Sequence, residues 1–484
     1  MYESIPASLP QEFFYNLSKL QGSMSKNLLK VTADRTTASP GNITNFRLPI
    51  GSLIDLRSLS VWWKTTLTGT NPTVPGRYSS SFIKRISISA NNVVIQQIED
   101  YNLLYNIMAD HTNKSHTKGL SGEFLDNTVI WSESNPTGSD QVAISGANSL
   151  LAATANQSAI PMHVNNFLGV LGSSSTPIVP TDRFGEIVIS IQWDQPYAML
   201  GGTAESGSTT YSNNSYELSD LYLSVEALSF SDDSYYTSIG NKDLMYYFND
   251  YIVTRFAECT KTTGINVTTY LNANSLDWVG CTAIRNQTAP STMVGYGGNG
   301  DGATANVVNV YKYLSDPVTY SNNNGTSPVS GDGFYNTEYF VRDLQGLDSV
   351  QFSINNKALN YAPLNKYEQF QSNLCALGYE GIDASSNGLI DTCVSIFHYW
   401  KYYGLCMQSL ELVDKDAFYI SGLSSAGSSC AVNASMKFAG NASYNITPIL
   451  VAKLSKVLHC KAGRSISVES VSYTHLTLPT SDLV

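Results

Sequence analysis

The sequence predicts an all-β chain of two consecutive, similar domains, and three observations predict it. The first is composition. Tyr (30 residues), Gly (35), Asn, Ser and Thr are abundant and only 14% of residues are charged. Tyr and Thr favour strands, Asn and Gly favour turns, and good helix formers are scarce between them. The second is length: 484 residues exceed one ordinary core and suit two domains of ~200 residues or more. The third is a repeat, Arg85 to Met108, which occurs again from Ser349 to Leu374.

The repeated stretch carries its own structural reading. In RISISANNVVIQQIEDYNLLYNIM, Ile86 and Ile88 alternate with Arg85, Ser87 and Ser89, the period of a strand with one face in a core. Asn91-Asn92 tolerate positive φ and suit a tight hairpin. Ile98, Tyr101, Leu104, Tyr105 and Met108 then recur at helical spacing. In SVQFSINNKALNYAPLNKYEQFQSNL, Val350, Phe352 and Ile354 alternate and Asn355-Asn356 repeat the turn, with Tyr367 and Phe370 matching Tyr101 and Leu104 after a two-residue insertion. The helix is expected on the flank of each barrel, where neighbouring subunits or domains meet.

In chain order, residues 1–35 stand outside the β pattern: Phe13, Phe14, Leu17, Leu20, Leu28 and Leu29 predict an N-terminal arm or short amphipathic helix, interrupted at Gly22. The first domain, 36–230, opens at Gly41 and runs into a long strand with Leu59, Val61, Trp63 and Leu67 on one face and Ser60, Trp62, Lys64 and Thr66 on the other. A Gly/Pro/Thr loop (Thr68 to Ser80) precedes the repeat. The polar segment Trp131 to Ala159 reads as an exposed insertion. Ile187, Ile189, Ile191 and Trp193 share one face of a strand, as do Leu221, Leu223, Val225 and Ala227, with a loop at Gly201 to Ser215 between them.

Residues 231–250 read as an interdomain bridge, and 251–470 as the second domain, starting at Gly264. Leu271 matches Leu48, Ser275-Leu276 match Ser52-Leu53, and Asp277 matches Asp55. Loops at Val294 to Thr304 and Tyr320 to Gly333 separate the strands, and later strands cover Leu405 to Leu412, Ala431 to Phe438 and Ile446 to Leu458, ending with Ile466 and Val468. In residues 471–484, VSYTHLTLPT resembles the translation of a sequencing-library adapter. This stretch is read as an artefact, with the native chain continuing differently past Ser470.

Catalytic and metal-binding signatures are weak. The seven cysteines (259, 281, 375, 393, 406, 430 and 460) lack zinc spacing and predict reduced, mostly buried thiols. Gly295 to Gly300 matches GxGxxG, but neither a buried strand before it nor a helix after it is indicated, so a loop is expected. His111 and His116 lie near Asp110 and Glu123 without the spacing of a helical metal pair; His163, His398 and His459 have no ligand-like partners, and His475 falls in the tail. His459 and Cys460 are adjacent, and adjacent strand residues face opposite ways, which argues against a dyad. Asp55 and Asp277 hold equivalent places in two domains, where a repeated turn or strand-end role is simpler than a paired-carboxylate site. Trp62, Trp63 and the many tyrosines fit either a sugar platform or a stock of core and interface aromatics. No catalytic, cofactor-binding or metal residues are assigned. A net charge of −11 without Lys/Arg clusters argues against coating nucleic acid. No apolar run reaches the ~18–20 residues of a transmembrane helix, and no signal peptide marks triplets such as Asn42-Ile-Thr as glycan acceptors, so a soluble protein is expected.

Phe46-x-Leu48-Pro49 with Ser52-x-x-Asp55-Leu56, then Phe82-x-x-x-Ile86-x-Ile88 with Asn91-Asn92 and Tyr101, and the SGLSSAG turn (Ser421 to Gly427), resemble the double-jelly-roll major capsid proteins of icosahedral double-stranded DNA viruses. The nearest flavour is the group of Polinton-like viruses, virophages and relatives of large eukaryotic DNA viruses. The resemblance implies two eight-stranded jelly-roll sandwiches, three copies per pseudo-hexagonal capsomer, and a place in the virion shell. It also implies penton and minor capsid proteins as partners, no cofactor and no enzymatic activity; the acidic balance fits a protein kept off the genome by an inner membrane or other proteins, a layer the sequence itself does not show. The competing reading is a secreted or surface β-sandwich that binds glycans. A polysaccharide-acting enzyme lacks an identifiable acid pair.

Overall fold

Period-two patterns in the sequence become strands buried on one side. The computed structural model describes residues 24–68, 72–73, 78–112, 160–172, 178–195, 201–202, 215–230, 243–273, 275–285, 311–313, 335–337, 342, 344, 346–377, 400, 404–411, 422–424, 430–440, 445–461 and 465–470. In Ile187–Trp193 the even positions Val188, Ser190 and Gln192 are half-buried, while Ile187, Ile189, Ile191 and Trp193 are buried. Ser215–Phe230 buries Leu221, Leu223, Val225 and Ala227 in the same way.

Among the described residues the first unit has eight principal strands: β1 (Met24–Thr32), β2 (Ile43–Arg47), β3 (Leu53–Thr68), β4 (Ile83–Ala90), β5 (Val93–Ile98), β6 (Ile160–Val164), β7 (Ile187–Trp193) and β8 (Ser215–Phe230). They form two antiparallel sheets, ordered β1-β8-β3-β6 and β2-β7-β4-β5. The second unit supplies β9 (Leu244–Arg255), β10 (Gly264–Leu271), β11 (Leu276–Arg285), β12 (Leu347–Ile354), β13 (Lys357–Ala358), β14 (Cys406–Ser409), β15 (Cys430–Phe438) and β16 (Asn445–Lys461). Its sheets run β9-β16-β11-β14 and β10-β15-β12-β13. Every strand stands eight places after its counterpart, and the order 1-8-3-6 facing 2-7-4-5 is that of a jelly roll. The repeat extends to a minor detail: Thr37–Ala38 pairs with β8 and Cys259–Thr260 with β16.

Each sandwich encloses its own inward face. In the first, Trp63 meets Trp193 edge-on at 5.2 Å and Phe82 meets Tyr216 at 5.2 Å. The two buried indoles keep their N–H groups satisfied, Trp193 by Thr44 (2.9 Å) and Trp63 by Thr65 (3.1 Å). In the second, Phe352 is joined by the smaller Val267, Ala434, Met436, Leu450 and Ala452 in the equivalent space.

The duplicated hairpins and helices fold as the repeat predicts. Asn91 and Asn92 have φ of 47° and 63°, and Asn355 and Asn356 have 50° and 64°, so both central residues of each turn are left-handed, as a two-residue type I′ hairpin demands. The helices are α1 (Tyr101–Thr112) and α2 (Lys366–Leu377). The two-residue insertion fails, however. Tyr101 is buried and Tyr367 is 55% exposed, whereas the buried amides Asn102 and Asn106 match Gln369 and Asn373, which places three extra residues between the turn and the matched amides. Ile98, read as part of the helical pattern, ends β5.

Two further expectations are corrected. The N-terminal arm does not extend to residue 35: Met24–Thr32 is a strand paired along its whole length with β8. Leu28 is 71% exposed and Leu29 half-buried, because adjacent residues on a strand point to opposite sides rather than sharing a helix face. The bridge is also shorter than 231–250, since β9 begins at Leu244. Residues 1–23 of the arm, the insertion at 131–159, the loops at 294–304 and 320–333, residues 231–242 of the bridge and the tail 471–484 lie outside the described residues, as does most of the loop at 201–215.

Candidate functional site: the outward sheet faces

The units meet through a defined pair of surfaces, one from each. From the first come β5, the corner before α1 and the 3-10 turn Gly169–Leu171; from the second comes β9. Gln96 donates through Nε2 to Asn249 O (3.0 Å) and Asp250 Oδ1 (2.7 Å), and its Oε1 accepts from Val170 N (2.7 Å). Gly169 sits at φ +82°, where a Cβ would lie 2.1 Å from Gln96 Oε1, so any other residue would be strained and would displace the Gln96 amide. Asp100 accepts from Arg255 Nε at 2.6 Å and also from Lys84. Burial alone would raise the Asp100 pKa, but the Arg255 and Lys84 charges and their hydrogen bonds hold the carboxyl below its ordinary value. Phe184 packs on Tyr246 at 5.4 Å, and the Cys460 thiol donates to Arg183 O at 3.2 Å.

This junction buries the outward face of the second unit's β9-β16-β11-β14 sheet. Tyr251, Trp278, Ile449 and Val451 belong to one continuous apolar cluster with the first unit, whereas Leu450, Ala452 and Leu454 belong to the second sandwich's own core. Around Tyr251, Trp278, Ile449 and Val451 the sheet is therefore covered on both sides, while Met245 and Tyr247 nearer the start of β9 stay exposed.

On the corresponding face of the first unit Trp62, Tyr222 and His163 are half-buried. Strand register places Thr32, Tyr222, Trp62 and His163 in one row across β1, β8, β3 and β6. Trp62 stacks on His163 at 4.4 Å and lies 6.3 Å from Tyr222, nearly parallel, with its Nε1 donating to Ser224 Oγ at 3.2 Å. Lys30 Nζ stands 3.9 Å over the Tyr222 ring. Lys64 pairs with Asp220 at 2.6 Å, and Lys26 with Glu226. A groove of about 430 Å³ runs along this row, between Lys30, Thr36, Trp62, Lys64 and Tyr222. The sequence marked Trp62 and Trp63 with the tyrosines in general; Tyr222 and His163 join Trp62 only through pairing over more than a hundred residues.

The free edge of the same sheet in the second unit is closed by α2. Gln369 Nε2 and Ser372 Oγ donate to Met407 O (2.7 and 2.8 Å), Asn373 Nδ2 donates to Leu405 O (2.5 Å), and Met407 N donates to Asn373 Oδ1 (2.6 Å). Side-chain amides thus occupy backbone groups of edge strand β14. In the first unit Asn102 Nδ2 binds Ser81 O (3.3 Å) and Asp194 Oδ2 (2.5 Å), and burial pushes the Asp194 carboxyl up.

The residues weighed for chemistry are dispersed and committed. Asp55 is held by Arg57, through Nε at 3.0 Å and a second nitrogen at 2.8 Å, and this pairing lowers its pKa. Asp277 accepts from Ser275 (2.9 Å) and Ser455 (2.8 Å) and lies 3.4 Å from Lys453. Both sit beside strand-register shifts, where a carboxylate ties the irregular backbone. Cys281 and Cys406 are buried cross-strand neighbours, and burial together with the Cys281 contact pushes the Cys406 thiol well up. Cys430 and Cys460 are buried and outside any disulfide, Cys259 is half-buried and Cys375 exposed. Cys460 is buried and His459 half-buried on the alternating β16. Among the described residues no three His, Cys, Asp or Glu side chains are grouped to hold a metal ion. Cys393, His116, His398, His475, Glu123 and the Gly295 to Gly300 loop lie outside the described residues, as do the side chains of Asp110 and His111.

The duplicated strand order defines the class: a double jelly roll, two eight-stranded sandwiches in one chain. No family model matches the sequence, and no curated protein does. Solved structures match it along nearly its whole length. The capsid of the virus PBCV-1 is similar over 95% of this chain and 100% of its own (TM-score 0.57, 11% identity). The Sputnik virophage structure matches over 96% and 92% (TM-score 0.56, 10% identity), and the mavirus major capsid protein over 100% and 96% (TM-score 0.51, 9% identity). At such identities the shared property is the fold, held by burial pattern rather than by particular side chains.

Proposed function

We propose that this chain is the major capsid protein of an icosahedral double-stranded DNA virus, a structural rather than catalytic protein whose trimers form pseudo-hexagonal capsomers. The observation that carries the reading is the eight-place correspondence of all sixteen principal strands, since three chains of two like units offer six like units to a lattice. The whole-chain likeness to solved capsid proteins supports it. So does the surface chemistry, in which polar and aromatic faces stand where a catalytic cluster would be sought. We place the first jelly roll at residues 24–230, the bridge at 231–243 and the second jelly roll at 244–470. Penton-type and minor capsid proteins are the further partners this role requires. The purified chain is expected to sediment as a trimer; a stable monomer at micromolar concentration argues against a capsomer. A neighbouring packaging ATPase or penton gene would support the same role.

A second reading, a glycan-binding sandwich, has one observation in its favour: the row of Trp62, Tyr222 and His163 beside an open groove. It requires a monomer whose tryptophan fluorescence shifts on titration with oligosaccharide.

A further inference from the structure

All seven cysteines fall from residue 259 onward, so the first unit holds none, and two of them meet in the second. Cys281 of β11 and Cys406 of β14 stand directly opposite each other in the strand register. Both are fully buried in the second sandwich's own core, with their thiols in hydrogen-bonding contact. Strand alternation fixes their separation. Met407 turns its N–H and C=O outward to α2, where Asn373 and Gln369 bind them, so Cys406 turns its own toward β11. The 281–406 pair is therefore of the hydrogen-bonded kind, with Cα atoms ~5.5 Å apart. That separation lies inside the about 4.4–6.8 Å that a disulfide spans. The strands also run close here: a Cβ on Gly280, the residue before Cys281, would lie 3.2 Å from Cys406 O. We propose that Cys281 and Cys406 form an oxidation site, a thiol pair that peroxide closes into a disulfide fastening edge strand β14 to β11.

The strand being fastened is short and has a strand on one side only. β14 is four residues long, and its other side rests on the side-chain amides of α2. A bond from its first residue to β11 resists peeling of that edge. It also joins points more than a hundred residues apart in sequence, where a cross-link takes much freedom from the unfolded chain. The chemistry balances with one peroxide. A thiolate sulfur attacks a peroxide oxygen, the O–O bond breaks, and a sulfenic acid and one water form. The second sulfur attacks the sulfenic sulfur, the S–O bond breaks, and a second water leaves with the remaining thiol proton. The pair thus loses two electrons and two protons, and peroxide is reduced to two waters. Burial pushes the Cys406 thiol well up, so thiolate forms as β14 opens locally, and the pair reacts later than the exposed Cys375. In reducing surroundings the pair stays as thiols; in oxidising ones it closes.

The test treats the full chain, purified under reductant, with hydrogen peroxide. Remaining thiols are then alkylated in denaturant, and peptides are mapped by mass spectrometry without reduction. Cys375 is expected to react first. A linked peptide pair holding Cys281 and Cys406, two hydrogens lighter than the separate thiols, is expected to follow. The melting temperature is expected to rise by about 5–10 °C and to fall back on addition of dithiothreitol. Cys281→Ala is expected to lose both the link and the rise. The site is refuted if Cys281 and Cys406 are both recovered alkylated after Cys375 is fully oxidised, or if Cys406 is recovered joined to Cys430. A linked chain that melts no higher than the reduced one refutes the fastening. Should Cys281→Ala fail to fold, the peptide map of the unaltered chain decides alone.

Discussion

Replacing Ile88 by Asp is expected to leave no folded first unit. Ile88 is 4% exposed on β4 and faces Ile189 across the sheet. A carboxylate there has no partner, and burying an unpaired charge costs several kcal/mol. That is a large share of the about 5–15 kcal/mol by which a domain of this size is stable. The measurement is soluble yield with circular dichroism after expression. Leu28→Asp, on a side chain 71% exposed, is the control and is expected to fold normally. A soluble, native-like Ile88→Asp chain would show the inward face to be misassigned.

Replacing Asp100 by Ala is expected to loosen the junction between units by about 2 kcal/mol, below the about 3–5 kcal/mol of a fully buried pair. The discount reflects the residual exposure of its two partners, 30% for Lys84 and 26% for Arg255. The loss depends on pH in a definite direction. The folded pKa of Asp100 lies below the ordinary 3.8, so its contribution is complete above that value and disappears as pH falls through the lower folded value. Asp194 acts oppositely: burial raises its folded pKa, so its charged form weakens the fold at neutral pH and protonation relieves this as pH falls. Melting temperatures of the two chains, measured from pH 7 downward, should differ most at neutral pH and converge in acid. A gap that widens in acid would exclude an ionised Asp100 as the clamp.

What was legible in the sequence depended on range. Asn91-Asn92 and Asn355-Asn356 announced hairpins because positive φ is a local demand that few residues meet. The faces of β3, β7 and β8 followed from strict alternation. The edge β1 did not, since adjacent Leu28 and Leu29 mimic a helical pair while only Leu29 packs on the core. The helix alignment slipped by one residue because it followed aromatic residues, when the burial that matters belonged to Asn102, Asn106, Gln369 and Asn373. The open face was least visible. Tyr222 lies between the core residues Leu221 and Leu223, and its neighbours Trp62 and Lys30 arrive from strands 160 or more positions earlier in the sequence, so no local pattern joins them.

The amides of α2 that occupy the β14 edge bear on how the chain avoids indiscriminate strand pairing. At high local concentration a bare strand edge would recruit other strands without regard to register. With Met407 and Leu405 already engaged by Gln369, Ser372 and Asn373, growth at that edge is closed off at the level of the backbone. Association is left to side-chain surfaces, which can be wrong by degrees and come apart again, so a misplaced copy is released where an amorphous aggregate would have kept it.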